Sequence, residues 1–522
     1  MTTVGEALVA ALAAHGVNTV FGIPGVHTIE LYRGLAASGI RHVTPRHEQG
    51  AAFMADGYAR ATGRPGVAFV ITGPGVANTL TPMGQARADS VPILVVSGVN
   101  TRASLGRGLG HLHELPDQLG LVSKVALGAY RVERPEDAVP VVAQAMTRLT
   151  SGRPGPVHIE VPLDLAGVAA VSGDAADLPA RDAAPDEAAI QDAARRLSQA
   201  RAPLILAGGG AKHADLAGLA ERLDAPVVQT VNARGVMFAH PLSVPASPSL
   251  LAVRELIEAS DLLLVLGTEL GPTDYDMYGR GFGEMSVPMI RVDICDGQLA
   301  RHPAALTIQA DSGAVVDALK ERVEQKTGNG ADRAARARAE AQSEIGPKMR
   351  DEVAMLEVIR NAVPNAFFVG DSTQPIYAGN LYYDHDRRGS WFNAATGFGA
   401  LGYAIPAAIG VSVAEPDAPV VCLTGDGGAQ FSIAELMTAK DENLPITFIV
   451  WNNHGYGEIA GSMREAGVDV IGCTPTPPDF SAIAKACGMP FQSVAQEPDA
   501  VAAALAVWEA VSGPRILEIR AG

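Results

Sequence analysis

What this 522-residue sequence has little of narrows its possibilities first. Nowhere do about 18 uncharged apolar residues run together, so no stretch reads as a membrane-spanning helix. The start, Met1-Thr2-Thr3-Val4-Gly5-Glu6, shows none of the pattern of a secretory leader, and the expected location is the cytoplasm. Cysteine is scarce: Cys295, Cys422, Cys473 and Cys487 stand far apart, without a Cys-x-x-Cys pair, and are too few to staple a chain of this length. They read as reduced, mostly buried thiols. Basic residues are also short, with 40 Lys and Arg against 57 Asp and Glu and a net charge of −17. No run of Lys or Arg forms a stripe for phosphates, so neither nucleic acid nor an anionic membrane surface is an expected partner. The acidity itself reads as a solvated surface and names no substrate.

What is present is a repeated alternation of short β-branched runs with longer helical patterns. That alternation predicts parallel sheets covered by helices on both faces, and the chain is too long for one core. Three α/β domains are expected, over 1–165, 186–325 and 346–522. In the first, Val4, Leu8, Ala11 and Leu12 fall on one helical face, and strands are expected at 67–71, 93–97 and 157–161. A segment rich in Ala, Asp, Gly and Pro over 165–189 reads as a linker. The second domain carries strands at 203–207, 226–229, 262–266 and 289–293. Its first strand ends in Gly208-Gly209-Gly210, which serves either a phosphate or only a tight turn. A charged stretch over 321–350 sets off the third domain, with strands at 366–370, 420–424, 446–451 and 516–519.

Two of these strand ends carry oxygen ligands. The run Val420-Val421-Cys422-Leu423-Thr424 enters Gly425-Asp426-Gly427-Gly428, and Ile446-Thr447-Phe448-Ile449-Val450-Trp451 enters Asn452-Asn453-His454-Gly455, with Asn453 placed 27 residues after Asp426. Ligands of open parallel sheets bind beyond the carboxyl ends of strands. Magnesium prefers oxygen donors, so Asp426, the Asn453 amide and two diphosphate oxygens make a sensible shell, while glycines let backbone N–H groups come close. A lone Gly-Asp-Gly more often makes a turn; the second motif at this distance reverses that preference. Here the sequence resembles the thiamine diphosphate-dependent enzyme family, and the resemblance covers the whole chain. It implies that Asp426, Asn453 and the main-chain carbonyl of Gly455 hold Mg2+. It also implies that Gly425, Gly427 and Gly428 meet the diphosphate, helped by Ser372, Thr373 and Gln374.

In that family a carboxylic acid at the cofactor's aminopyrimidine activates its thiazolium carbon, and such an acid needs apolar surroundings. Glu48 lies in Pro45-Arg46-His47-Glu48-Gln49-Gly50-Ala51-Ala52, before a helix of small residues. By itself it could be a helix-capping acid or a partner of Arg46. The block resembles the family's Arg-His-Glu stretch, which implies the activating role, and it follows Phe21-Gly22-Ile23-Pro24-Gly25 at the family's spacing. The resemblance extends to Thr72-Gly73-Pro74-Gly75-Val76-Ala77-Asn78, placing Pro24, Gly25, Pro74 and Asn78 near the cofactor. In Gly397-Phe398-Gly399-Ala400-Leu401 it implies that the Gly399 carbonyl accepts from the pyrimidine amino group and that Leu401, otherwise a core residue, holds the cofactor bent. It further implies a homodimer or homotetramer whose active sites lie between subunits.

The family covers decarboxylases, carboligases and oxidases, so departures must choose among them. Acetolactate synthases usually carry Phe-Gln before a glutamate where this chain reads His111-Leu112-His113-Glu114-Leu115-Pro116-Asp117-Gln118. His113 beside Glu114 could relay a proton after carbon dioxide leaves, or could be a loop histidine bonded to backbone. His113 and Gln118 are expected at the substrate. Leu266-Gly267-Thr268-Glu269-Leu270-Gly271 lacks an arginine-rich continuation, so FAD is not expected. Asn453-His454-Gly455-Tyr456-Gly457-Glu458 completes a set most like decarboxylases of 5-guanidino-2-oxopentanoate, with Glu458 either pairing a guanidinium or standing as a surface acid. Carboligation of pyruvate, and a non-catalytic regulatory subunit that only binds cofactor, are the alternatives. Small-molecule 2-oxo acids are the expected partners.

Overall fold

A computed structural model describes residues 2–171, 184–277, 286–508 and 512–521. It contains three six-stranded sheets, all parallel, with helices on both faces. The first runs Arg41–Val43, Thr19–Gly22, Gly66–Val70, Ile93–Val99, Val157–Pro162, Gly128–Arg131, which is the sequential order 2-1-3-4-6-5. The third repeats that order with Trp391–Asn393, Phe367–Gly370, Val420–Gly425, Ile446–Asn452, Arg515–Arg520, Phe491–Ala495. The middle sheet is ordered 3-2-1-4-5-6: Ser243–Val244, Val227–Gln229, Pro203–Ala207, Leu262–Leu266, Met289–Asp293, Leu306–Gln309. Every expected strand is present, within a residue or two of its expected ends. The strands not anticipated are short or half-exposed, such as Arg41–Val43, Gly128–Arg131 and Phe491–Ala495, and so lack the continuous apolar run of a strand buried on both faces.

Two intervening stretches differ from their sequence reading. Most of 321–350 is helical: Gly330–Glu344 turns Ala334, Ala337 and Ala341 inward, and buried Arg333 donates to the carbonyls of Ala202 and Pro203 and to Ser260 Oγ. The many charges on its other face hid that alanine stripe. At 165–189, Ala169 bridges back to Thr3, 172–183 lie outside the described residues, and the last residues belong to helix Glu187–Gln199.

The first and third sheets share one core. Helix Glu48–Thr62 packs along helix Ala404–Ala414, and both are buried nearly all round because each is covered on every side. Glycine makes the approach possible: a Cβ on Gly57 would overlap the Ala407 carbonyl oxygen, and one on Gly410 that of Met54. A buried polar knot closes the same interface, in which Arg60 bonds Asp56 and Asp89 at 2.7 Å each and Tyr403 donates to Asp56 at 2.6 Å. All four cysteines are free, Cys422 and Cys473 being buried. Among the described residues no helix is long and apolar enough to cross a membrane.

Candidate active site

In the first and third sheets the chain reverses direction across the sheet between the first and third strands, and such switch points open a crevice at the strands' carboxyl ends. In the third sheet, Gly370-Asp371-Ser372-Thr373 and Gly425-Asp426 flank that crevice. Gly425 pairs with Trp451 in register, so Asp426 and Asn453 emerge side by side. His454 and Gly455 then turn with φ of +59° and +150°, and a Cβ at Gly455 would overlap the Cys473 carbonyl.

The Asn453 amide carries the decisive geometry. One of its terminal atoms lies 3.0 Å from Asp426 Oδ1 and 2.7 Å from the Gly455 carbonyl oxygen. If that atom were nitrogen, two ordinary hydrogen bonds would result. The opposite side excludes it: the Trp451 indole can only donate, and it donates to Gln374 Oε1 at 3.3 Å, which also accepts from Asn453 Nδ2 at 3.2 Å. Swapping Asn453 would set its oxygen against Gln374 Oε1, and swapping both would face two donors at the indole. Asn453 Oδ1 therefore points at two other oxygens, an arrangement that a cation satisfies. Octahedral magnesium with ligands at about 2.0–2.1 Å places neighbouring oxygens roughly 2.9 Å apart. Asp426 is buried, burial pushes its carboxyl above the usual range, and its Oδ2 has no hydrogen-bond partner. The residues fit a divalent metal.

Around this point Gly425 lies against Thr373, Gly428 against Asp371 and Gly427 against the Tyr456 ring. Asp371, pushed up to about 6 by burial, accepts from the Ser372 and Gly402 amides at 2.9 Å and so ties two loops together. Ser372 and Thr373 flank the crevice, and Gln374 Oε1 accepts from the Trp451 indole and from Asn453 Nδ2. Gly399, at φ +74°, lies exposed on its loop, and the neighbouring Ala400 amide donates to Gln85 Oε1 at 3.1 Å. Leu401 beside it is half-buried rather than core.

The other group forms at the first sheet's switch point. Glu48 is the first residue of its helix, while His47 is the cap and accepts from the Gln49 amide. Arg46 pairs with Asp441, and Glu48 Oε2 instead accepts from Asn78 Nδ2 at 2.9 Å. Arg46 is thus not its partner, while its place in the first turn of the helix still suits an acid. Gly25 and Gly75 both press on Ile71, with Glu48 Cγ close beside Gly75, so Pro24, Pro74, Asn78 and Glu48 share one patch. Buried Glu435 holds the approach, accepting the Arg46 and His47 amides at 3.0 Å each. Nothing in the sequence near Glu435 signals that task, because its partners are nearly four hundred residues away.

Two expectations in the 111–118 loop are corrected. Gln118 is buried and saturated: Oε1 accepts from Thr72 Oγ1 and the Gly73 amide, and Nε2 donates to Ser97, Gly98 and Glu160. It positions the Thr72-Gly73-Pro74 turn and has no atom left for a substrate. Glu114 spends both oxygens on the amides of His111, Gly110 and Leu109; these bonds, His111's foremost, hold its carboxyl below the usual range. It staples the loop instead of relaying a proton. Among the described residues the His113 ring has no hydrogen bond to backbone, its Nδ1 is buried without a partner, and the residue sits at φ +61°. Glu458 is exposed on the first turn of helix Gly457–Glu465.

The middle sheet's glycine triplet is a turn. The Gly208 and Gly210 amides donate to the carbonyls of Leu266 and Gly267, and Gly267 packs directly on Gly210, leaving neither amide free for a phosphate.

Comparison with known proteins gives a consistent assignment along the chain. Residues 2–121 match the thiamine pyrophosphate enzyme N-terminal TPP binding domain, 190–319 the central domain and 371–519 the C-terminal TPP binding domain of those enzymes. The chain is 42% identical to a protein of Pseudomonas aeruginosa named a probable 2-ketoarginine decarboxylase, over 99% of this chain and 94% of that one. It is 31% identical to an acetolactate synthase of Arthrospira platensis, over 87% and 82% of the two chains. In fold it matches the thiamine diphosphate-dependent 4-hydroxybenzoylformate decarboxylase of Rhodococcus jostii, with a TM-score of 0.83 at 24% identity over 100% and 99% of the chains.

Proposed function

This chain belongs to the thiamine pyrophosphate enzyme family, and from that premise we propose that it is a magnesium-dependent decarboxylase of a cationic 2-oxo acid, 5-guanidino-2-oxopentanoate (2-ketoarginine). The observation that carries the cofactor end is the convergence of Asp426, Asn453 and Gly455 oxygens on one point. There Mg2+ would join the diphosphate to the protein, with the Gly425, Gly427 and Gly428 backbone and Ser372 and Thr373 alongside. When bound, thiamine diphosphate supplies a carbon nucleophile that can hold the electron pair left by departing carbon dioxide. Glu48, oriented by Asn78, would hold the proton at the pyrimidine nitrogen, the Gly399 carbonyl would accept from the pyrimidine amino group, and Leu401 would wedge between the two rings and hold them bent.

Glu458 supports the cationic substrate. Its charge acts on Glu352, which is 4% exposed, has no hydrogen bond or ion pair among the described residues, and is pushed up to about 7 by burial, with Lys348 drawing it down and Glu458 and Asp351 adding to the rise. A guanidinium beside Glu458 would relieve that repulsion and can donate a bidentate pair of hydrogen bonds to it.

Two copies of the chain would complete the site. No hydrogen bond within one chain joins the Glu48 group to the Asp426 group among the described residues, and exposed apolar side chains border both: Val26, Ile29 and Leu112 on one, Phe431, Ile459 and Ile471 on the other. A dimer or tetramer that covers them would bring one subunit's Glu48 to its partner's metal end. Four unpaired cysteines suit the reducing cytoplasm.

The test is to load the protein with Mg2+ and thiamine diphosphate and offer 5-guanidino-2-oxopentanoate or pyruvate. Carbon dioxide with free aldehyde from the guanidino acid is expected. Acetolactate from pyruvate without aldehyde from either would replace this reading with carboligation, the activity named for the 31% identical relative. No product from a broad panel of 2-oxo acids would point to a cofactor-binding subunit.

A further inference from the structure

The Glu48 side of the site also holds two histidines. His27 follows Gly25 on the loop after the first strand, and His113 stands on the long loop after Ile93–Val99, a strand that lies two places away in the same sheet. The rings meet edge to face, 5.1 Å between centroids at 80°. Neither ring makes a hydrogen bond among the described residues, and Nδ1 of each is buried without a partner. Buried or half-buried His42, His158 and His385 each make at least one ring hydrogen bond, although Nδ1 of His158 is also without a partner. The backbone is built to bring the two rings together. Gly98 leaves room for the His27 carbonyl and Gly73 for that of His113, and Gly73 directly precedes Pro74 on the turn that leads to Asn78 and Glu48.

We propose that His27 is a second catalytic residue, forming with His113 one imidazole pair that holds a single proton beside the substrate and delivers it after carbon dioxide has left. The proposal rests on the decarboxylase reading. In the step, the bond between the carboxylate and the 2-oxo carbon breaks with its electron pair left on that carbon, and carbon dioxide departs without a proton. An imidazolium N–H of the pair then gives its proton to the same carbon, and the neutral pair takes another from water, so one proton is consumed for each aldehyde released. Two rings this close do not both carry charge cheaply, which keeps one ready as donor and the other as acceptor. Burial, and then the charge of His113, lower His27 from the ordinary histidine range. A carboligase needs that carbon left unprotonated; a built-in proton donor favours aldehyde release.

The experiment compares wild type with H27Q, H27N, H113Q and H27Q/H113Q as full-length, metal- and cofactor-loaded proteins. Aldehyde formation is measured beside carbon dioxide release with ferricyanide present, which removes the electron pair by oxidation and so bypasses the proton. Each single variant should lose aldehyde formation by roughly 100-fold while keeping ferricyanide-coupled carbon dioxide release and cofactor proton exchange within about threefold. The double variant should fall no more than about threefold below the slower single one, because the two rings do one job. Retained exchange shows that the variants fold. An H27Q or H27N enzyme that makes aldehyde at the wild-type rate, or losses that multiply in the double variant, overturns the pair while leaving the decarboxylase reading intact. A wild type that releases no carbon dioxide from any 2-oxo acid, with or without ferricyanide, sinks both.

Discussion

Replacing Gln374 with methionine isolates what that residue does for a metal it never touches. The side chain keeps its length and loses the oxygen that accepts from the Trp451 indole at 3.3 Å and from Asn453 Nδ2 at 3.2 Å. Nothing then holds the Asn453 amide in its metal-facing orientation. Turned over, the amide donates to Asp426 Oδ1 at 3.0 Å and to the Gly455 carbonyl at 2.7 Å, a self-satisfied arrangement that must be undone before a cation can enter. A neutral hydrogen bond contributes about 1 kcal/mol net and one to a carboxylate roughly 1.5–3 kcal/mol. Part of that is offset because the wild type also has hydrogen bonds to lose, leaving about 2 kcal/mol against the metal, roughly 30-fold in affinity. Partners behind metal ligands typically matter by about 10–100-fold, so the figure is of a reasonable size. Calorimetric titration of Mg2+ into protein with thiamine diphosphate present would measure it. Gln374→Glu serves as rescue, since a carboxylate still accepts from both donors. Wild-type magnesium affinity in Gln374→Met, or equal weakening in Gln374→Glu, would refute the orientation argument.

Other consequences can be measured independently. Glu48→Gln should keep metal-dependent cofactor binding and lose cofactor C2 proton exchange by roughly 100-fold or more, read by deuterium exchange; undiminished exchange would remove its assigned role. Glu458→Gln should raise KM for 5-guanidino-2-oxopentanoate by roughly tenfold and leave an uncharged 2-oxo acid unaffected, whereas equal effects on both would make Glu458 indifferent to substrate charge. Glu352 is raised from 4.5 to about 7, so the folded state holds its proton longer than the unfolded chain does. Stability from that group is complete below pH 4.5 and declines as pH rises towards 7, so Glu352→Gln should gain thermal stability over wild type at pH 8 and not at pH 4; a pH-independent difference would contradict it. Gly57→Ala puts a methyl group into the Ala407 carbonyl and should cost about 3 kcal/mol or more, seen as a melting point several degrees lower; an unchanged melt would mean that the two helices separate freely.

The central strands and the α/β arrangement were legible in the residues. Strands buried on both faces must be apolar throughout, so 93–97, 262–266 and 446–451 announce themselves locally. The proposed metal motif is equally local, since Gly-Asp-Gly and Asn-Asn each sit at the end of such a run. Tertiary structure decided everything that depends on a distant partner. Gln118 and Glu114 looked like substrate and proton-relay residues because their polarity was visible but their partners were not; folded, one is consumed by Thr72, Gly73 and Glu160 and the other by its own loop. Glu435 gained a task for the same reason, through amides at Arg46 and His47. His27 and His113 are 86 positions apart in the sequence and become one feature only when two loops of the same sheet meet. Residue type and spacing determine which groups can do chemistry, and packing determines which of them still have an unpaired atom to do it with.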